Sequence, residues 1–527
     1  MTNIGMNARD TWAQGRARLL AQPLIWLAIG SVTSLFAVGG RWDIPLAAWV
    51  APVFLLRFVR RSRFWVAMLI IWLVSIGNAL FWAFELSNGL TAPDYAIAIA
   101  FGAVFALPYA ADRLLTPRLG MIGKLMVFPA AWACTEYLMG SLSPLGVMYG
   151  LRANTQTEYL SLLQLTALLG PYSIGFLISW FATTANWVWD NPDASDHRRV
   201  AIGYGAILVL VIVGGSLRLA FTPPPKTYIR MATVTPSMIV QTAAYEMIKG
   251  RNSVPKGYVA DPQNGMHANT LFFATKNEIA RVSPIVARAA YSLVIDNLLR
   301  STREAARSGA KIVVWSETAA PLLSNADIPA FLAKVGDIAR TKKIYIDAAI
   351  GEPFARNATF LVGPGGKEIW SYDKRHPVPL LEPVPPGHLP APVAQTPFGR
   401  LTNVICFDAD FPAQARVNAD IMMVPGFDWP QIGRSHTLKW VRLRAIENGY
   451  SLIRAAYDSQ AAAFDPLGHV LATQDTTGPG SHIMYADVPT KGRRTIYNRT
   501  GDVFIWLCLA GLGVATITAF RSRRKGW

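Results

Sequence analysis

Seven apolar runs, at about 22–40, 43–59, 64–85, 94–112, 121–140, 159–189 and 200–221, crowd the first 222 residues of this 527-residue chain, and an eighth lies at 503–520. Runs of this length reach or approach the ~20 residues a helix needs to cross the ~30 Å hydrocarbon layer of a bilayer. Inside lipid the backbone has no water to bond, so a crossing segment must satisfy its N–H and C=O groups internally, as a helix. The sequence therefore predicts seven N-terminal spans and one C-terminal span. The second run is short and the fifth carries Lys124, Cys134 and Glu136, which marks these two as the spans expected to be tilted, partial or re-entrant.

Only 16% of the residues are charged, against about 25% in an ordinary soluble domain. The formal net charge is nevertheless +17, and its placement decides what it means. A nucleic-acid surface needs its cations on one soluble face, whereas here many flank the apolar runs. Arg9, Arg16 and Arg18 precede the first run, and Arg57, Arg60, Arg61 and Arg63 follow the second. Arg113, Arg118 and Lys124 follow the fourth, Arg198 and Arg199 the sixth, and Arg521, Arg523, Arg524 and Lys525 the eighth. Eight crossings put all of these on one side, which the positive-inside rule makes the cytoplasm, and leave 223–500 facing the periplasm. The first run is longer than a signal-peptide core and six more follow it, so it reads as an uncleaved anchor.

Three consecutive prolines, Pro223 to Pro225, mark the change from apolar spans to short β-rich runs separated by amphipathic helices, the alternation of an α/β sandwich. Three units follow: 1–222 helical and membrane-embedded, 223–500 an extracytoplasmic α/β domain, and 501–527 a closing span with a basic tail. Strands are expected at 228–235, 311–315, 344–349, 358–362, 368–372, 402–405, 421–424 and 452–456, and helices at 285–308, 327–341 and 434–448. The run Gly363-Pro364-Gly365-Gly366 is a hairpin turn by composition. Residues 240–283 have little periodicity and read as a long loop or lid. Of the three cysteines, Cys134 and Cys508 lie in apolar runs, which leaves Cys406 as the one thiol of the soluble portion and makes a disulfide framework very improbable.

Three polar residues stand where β-rich runs end: Glu317 after Val-Val-Trp-Ser, Lys374 after Trp-Ser-Tyr-Asp, and Cys406 after Asn-Val-Ile. Strand ends share a rim in α/β folds. There a carboxylate can take a thiol's proton and an ammonium can hold an oxyanion. The segments Val314-Trp315-Ser316-Glu317, Tyr372-Asp373-Lys374-Arg375 and Ile405-Cys406-Phe407-Asp408 resemble the Glu, Lys and Cys motifs of the nitrilase, or carbon-nitrogen hydrolase, superfamily. With its membrane flanks the whole layout resembles the apolipoprotein N-acyltransferase family.

That resemblance implies a nitrilase-like αββα sandwich set between seven N-terminal and one C-terminal transmembrane helices. Glu317 would be general base, Lys374 oxyanion stabiliser, Cys406 nucleophile and Glu382 an accessory carboxylate. It also implies a phospholipid acyl donor, a Cys406 thioester, a diacylglyceryl-modified apolipoprotein acceptor, a bacterial inner-membrane location, and no cofactor or metal. Phe407, Asp408 and Trp429 are further candidates for lining the substrate site. The sequence departs from the family pattern at Ser316, where proline is usual, at Pro377, Leu380 and Leu381, and at Phe407-Asp408, where Tyr-Glu is usual. Those departures leave open a paralogue that acylates another amine. A membrane-tethered amidase or nitrilase and a non-catalytic lipid or lipoprotein binder are the other readings. Asp408, Asp410 and His436 lack a metal-ligand spacing.

Overall fold

The strands of the large domain alternate between two cores with period two, as residues on a pleated strand must. A computed structural model of the chain describes residues 22–87, 89–192, 196–250, 271, 274 and 276–524. In it Ile229 and Met231 of strand β1 (Tyr228–Thr235) and Ile312 and Val314 of β2 (Ile312–Trp315) face a central core. Their neighbours Ala232, Val234, Val313 and Trp315 face the opposite way, onto the helices Pro284–Arg307 and Ile328–Lys342. The first sheet contains these two strands and β3 (Ala320–Pro321), β4 (Tyr345–Glu352), β5 (Arg356–Val362), β6 (Glu368–Asp373) and β13 (His482–Pro489). Its order is β13-β1-β2-β4-β5-β6, with β3 paired to β4. The turn at Gly363–Gly366 joins β5 to β6, closed by Gly366 N donating to Gly363 O at 2.8 Å.

The second sheet runs β12-β11-β10-β9-β8-β7. Its members are β7 (Val393–Thr396), β8 (Gly399–Asn403), β9 (Ile421–Phe427), β10 (Ser451–Tyr457), β11 (Gln460–Phe464) and β12 (Val470–Asp475). Ile421, Met423, Ile453 and Ala455 join the central core, while Met422, Val424 and Leu452 pack outward with Val441 and Ala445. The result is the helix-sheet-sheet-helix sandwich expected from the sequence. The expected strand at 402–405 ends earlier, at Asn403, so that the chain can turn before Cys406. The expected helix at 434–448 is three pieces, Pro430–Ser435, a π-helical turn His436–Val441 and Arg442–Asn448. The expected loop at 240–283 begins as the helix Met238–Ile248 and ends in Lys276–Arg281. Residues 251–270 of that expected lid lie outside the described residues.

The N-terminal part is helical, but among the described residues length and composition qualify fewer helices as crossings than the apolar runs suggested. Phe64–Ser87, Ala92–Arg118, Asp196–Phe221 and Val503–Arg521 are long and apolar enough to cross a membrane. A fifth is formed if Leu160–Leu169 and Tyr172–Asp190, bent by 113° at Gly170-Pro171, are taken together. The first run yields only Pro23–Leu35, 13 residues, or ~20 Å at 1.5 Å per residue, short of the hydrocarbon thickness. The second is the 17-residue helix Pro45–Arg61 with Pro52 inside it. The fifth, Met121–Leu142, buries Glu136 among its neighbours.

The sandwich is bolted to the helical part by buried contacts. Val147 N donates to Asp410 O at 2.8 Å, Trp440 Nε1 to Gly39 O at 3.0 Å, and Gln164 Nε2 to Leu467 O at 3.0 Å. Phe407, Ile432 and Trp440 share one apolar cluster with Trp82, Phe105 and Trp132.

Candidate active site

Glu317, Lys374 and Cys406 follow the C-terminal ends of β2, β6 and β8, and the sandwich brings those ends together. Glu317 is pinned across the two sheets: its N–H donates to Gly426 O at 3.3 Å, and its Oε2 accepts from Phe427 N at 2.9 Å. Its other oxygen, Oε1, accepts from Lys374 Nζ at 2.7 Å and from Asn357 Nδ2 at 2.8 Å. Lys374 Nζ also donates to Glu382 Oε1. The lysine is fully buried between two carboxylates. Burial alone would push its pKa down, but Glu317 and Glu382 hold it well above the ordinary lysine value, so it is an ammonium. An ammonium has three donors, and two are used.

Cys406 occupies a left-handed turn, φ +46°, a conformation that a non-glycine residue adopts only where the surroundings enforce it. The enforcement is visible. Asp408 is fully buried and accepts from Ile405 N at 3.2 Å, His376 N at 2.7 Å and Tyr372 Oη at 2.8 Å. Phe407 swings away into the cluster shared with the membrane helices. The Cys406 thiol donates to Phe427 O at 3.5 Å. Burial and then the Glu317 carboxylate raise its pKa well above the usual thiol value, with Lys374 pulling it back. It rests as a neutral thiol, so reaction requires a base, and Glu317 is the carboxylate whose charge reaches it most strongly.

A cavity of about 380 Å³ opens over this group, within the size range of small-ligand pockets. Glu317, Glu382, Phe427, Trp429, Leu381 and Tyr457 line it. Trp429 thus borders the cavity, and its Nε1 donates to Leu86 O at 2.5 Å. Lys374 and Cys406 are not among the lining residues; they bond residues that are, Lys374 to Glu317 and Glu382 and the Cys406 thiol to Phe427 O. Phe407 and Asp408, like Cys406 and Lys374, are not among the cavity's lining residues; Asp408 braces the turn that carries the thiol. Glu382, by contrast, stands in the cavity wall, and burial raises its pKa to about 7. His376 Nδ1 lies 3.0 Å from Asp408 and its ring stacks on Phe411 at 3.8 Å.

Sequence reasoning missed a buried ionic group beside the thiol. Arg454 of β10 pairs with Asp428 at 2.7 and 3.2 Å, and His436 sits between Asp428 and Asp410 at 2.8 Å from each. The available signal was an arginine inside the apolar strand Ser451–Tyr457, which must have a buried partner. Cys406, Asp428 and His436 bring possible ligand atoms within 4.8 Å of one another. Arg454 already supplies the positive charge there, and both nitrogens of His436 are engaged by carboxylates.

The Carbon-nitrogen hydrolase family matches residues 289–497, and the Apolipoprotein N-acyltransferase N-terminal domain matches 30–184. The chain is similar to apolipoprotein N-acyltransferases along most of its length. An apolipoprotein N-acyltransferase from Geobacter metallireducens is 27% identical over 443 residues, 76% of this chain and 75% of the relative. One from Bradyrhizobium diazoefficiens is 23% identical over 79% of this chain and 76% of its own. An amidase of the nitrilase superfamily from Nesterenkonia AN1 aligns with a TM-score of 0.36 at 18% identity, over 50% of this chain and 92% of that one. The helical part thus contains the match to the N-acyltransferase N-terminal domain, and the sandwich contains the match to the Carbon-nitrogen hydrolase family.

Proposed function

We propose that this protein is a membrane N-acyltransferase that moves an acyl chain from a phospholipid, through a thioester on Cys406, to the α-amino group of a diacylglyceryl-cysteine lipoprotein. The observation that carries the chemistry is the fully buried Lys374 held 2.7 Å from Glu317, beside a thiol fixed in a left-handed turn. Similarity to apolipoprotein N-acyltransferases supports lipoprotein N-acylation as the class of reaction.

In the first half-reaction Glu317 takes the Cys406 proton, and the thiolate attacks the ester carbonyl. The S–C bond forms, and the oxyanion is met by the third N–H of Lys374. The ester C–O bond then breaks, and Glu317 returns the proton to the departing glycerol oxygen, releasing a lysophospholipid. In the second half the lipoprotein amine attacks the thioester, Glu317 accepts its proton, the S–C bond breaks, and the proton ends on the Cys406 sulfur. Glu382 Oε2 is buried in the cavity wall with no hydrogen-bond partner among the described residues. It is an acceptor suited to an N–H of the incoming amine.

We take 1–222 as the helical membrane unit, 223–500 as the catalytic domain and 501–527 as the closing helix and tail. The basic clusters favour a cytoplasmic side for the chain ends and the periplasm for the catalytic domain. Both substrates are lipid-anchored, and withdrawing a chain from the bilayer costs about 0.8 kcal/mol per CH₂, so a site held against the membrane helices spares that cost. The test is intact mass after incubation with phospholipid. Wild type should gain an acyl-sized adduct that Cys406→Ser does not form, and a diacylglyceryl peptide should discharge it. Ammonia release from small amides with no adduct from any lipid would replace this reading with a hydrolase.

A further inference from the structure

The buried group beside Cys406 has a geometry that a purely structural ion pair does not require. Arg454 Nη2 lies 3.7 Å from Cys406 Sγ. The same guanidinium is gripped on several sides: both its terminal nitrogens bond Asp428, and Nη1 donates to Thr437 Oγ1 at 2.5 Å. Asp428 is in turn oriented by Ser459 Oγ at 2.8 Å and His436 Nδ1 at 2.8 Å. His436 belongs to the π-helical turn His436–Val441, and such turns are frequent at functional sites. Arg454, Asp428 and His436 are all nearly or completely excluded from solvent, so their fields act on the thiol with little screening.

We propose that Arg454 is a second cation of the nucleophile, donating to Cys406 Sγ and stabilising the thiolate both when it attacks and when it leaves. This rests on Cys406 being the nucleophile. Lys374 cannot serve that purpose alone, because it must also meet the oxyanion. The charged groups that face the sulfur are Glu317 after β2, Lys374 after β6, Asp428 after β9 and Arg454 on β10. Behind them His436 bridges Asp428 to Asp410. Arg454 and Lys374 favour the thiolate; Glu317 and Asp428 oppose it. The two partners Arg454 and Asp428 therefore have opposite expected effects, and this distinguishes tuning of the thiol from mere loss of structure.

The test is the rate of iodoacetamide alkylation of full-length protein across about pH 7 to 10, read at the Cys406 peptide by mass so that Cys134 and Cys508 do not contribute. An opposite charge within about 4–6 Å favours the ionised form by ~1–3 pH units. Arg454→Gln should therefore shift the profile alkaline by about one unit or more, roughly tenfold slower at neutral pH, with Arg454→Lys shifted less. Asp428→Asn should shift it the other way. A folded Arg454→Gln with the wild-type profile overturns the proposal, as does an Asp428→Asn profile that fails to move acidic; if Arg454→Gln does not fold, Asp428→Asn decides alone. Alkylation needs no acyl transfer, so failure here is distinct from failure of the thioester reading, which would appear as an acyl adduct persisting on Cys406→Ser.

Discussion

Lys374 is the residue on which the candidate site is balanced, because it separates the buried Glu317 carboxylate from the half-buried Glu382 carboxylate. Removing a partner from a buried ion pair leaves an uncompensated charge and costs about 3–5 kcal/mol. Lys374→Ala should therefore lose stability as well as acyl transfer, seen as a lowered melting temperature in detergent, whereas Cys406→Ser should lose transfer and melt close to wild type. His436 gives a pH dependence. Burial alone would lower its pKa, but Asp410 and Asp428 outweigh that and raise it to about 9 from an ordinary 6.5. Its contribution is fully present below pH 6.5 and is lost as pH rises through about 9. The melting temperature should fall over that window, and His436→Gln should flatten the slope. Glu317, Lys374 and Cys406 were legible as strand-end residues flanked by motifs. The Arg454 group as a unit was not, since Asp428 and His436 lie 26 and 18 residues from Arg454 along the chain and come together only in the folded domain, where the parallel β9–β10 register carries Asp428 to Arg454.

Among the elements, the turns carry more of the function than the strands. Eight strands were readable from β-rich runs, but β3, β7, β11, β12 and β13 were not; in β11, Gln460-Ala-Ala-Ala-Phe464 has the composition of a helix and is a strand only through pairing with its neighbours β10 and β12. The π-turn was equally hidden inside an ordinary helical pattern. The loop after Met121–Leu142 shows how closely turns are fitted: Gly146 has φ +56°, and a Cβ there would lie 2.4 Å from Asp410 O. Gly146→Ala should cost on the order of 1–3 kcal/mol and, by displacing the Cys406–Asp410 turn, slow acyl-enzyme formation. Melting temperature and the rate of adduct appearance check both.

At the scale of the molecule, each long helix of the membrane part among the described residues overlaps an apolar run, but fewer of these helices than runs meet the length and composition for a crossing. Hydropathy counts residues, and it is blind to where a helix stops: Pro23–Leu35 ends in a turn, and the sixth run breaks at Gly170, where φ is +82° and the Tyr497 ring packs too closely for a Cβ. Orientation is tested with Ser308→Cys, an exposed position beyond the helix Pro284–Arg307. A membrane-impermeant maleimide should label it in intact spheroplasts if the catalytic domain faces the periplasm, and only after lysis if it does not.

The turn at Cys406-Phe407 sends one side chain toward chemistry and the next into the bundle of membrane helices. Anchorage and reactivity are consequently written into a single dipeptide. An engineer who pared away the lipid-facing half to obtain a water-soluble catalyst would strip the aromatic ring of its socket, and the sulfur beside it would lose its aim.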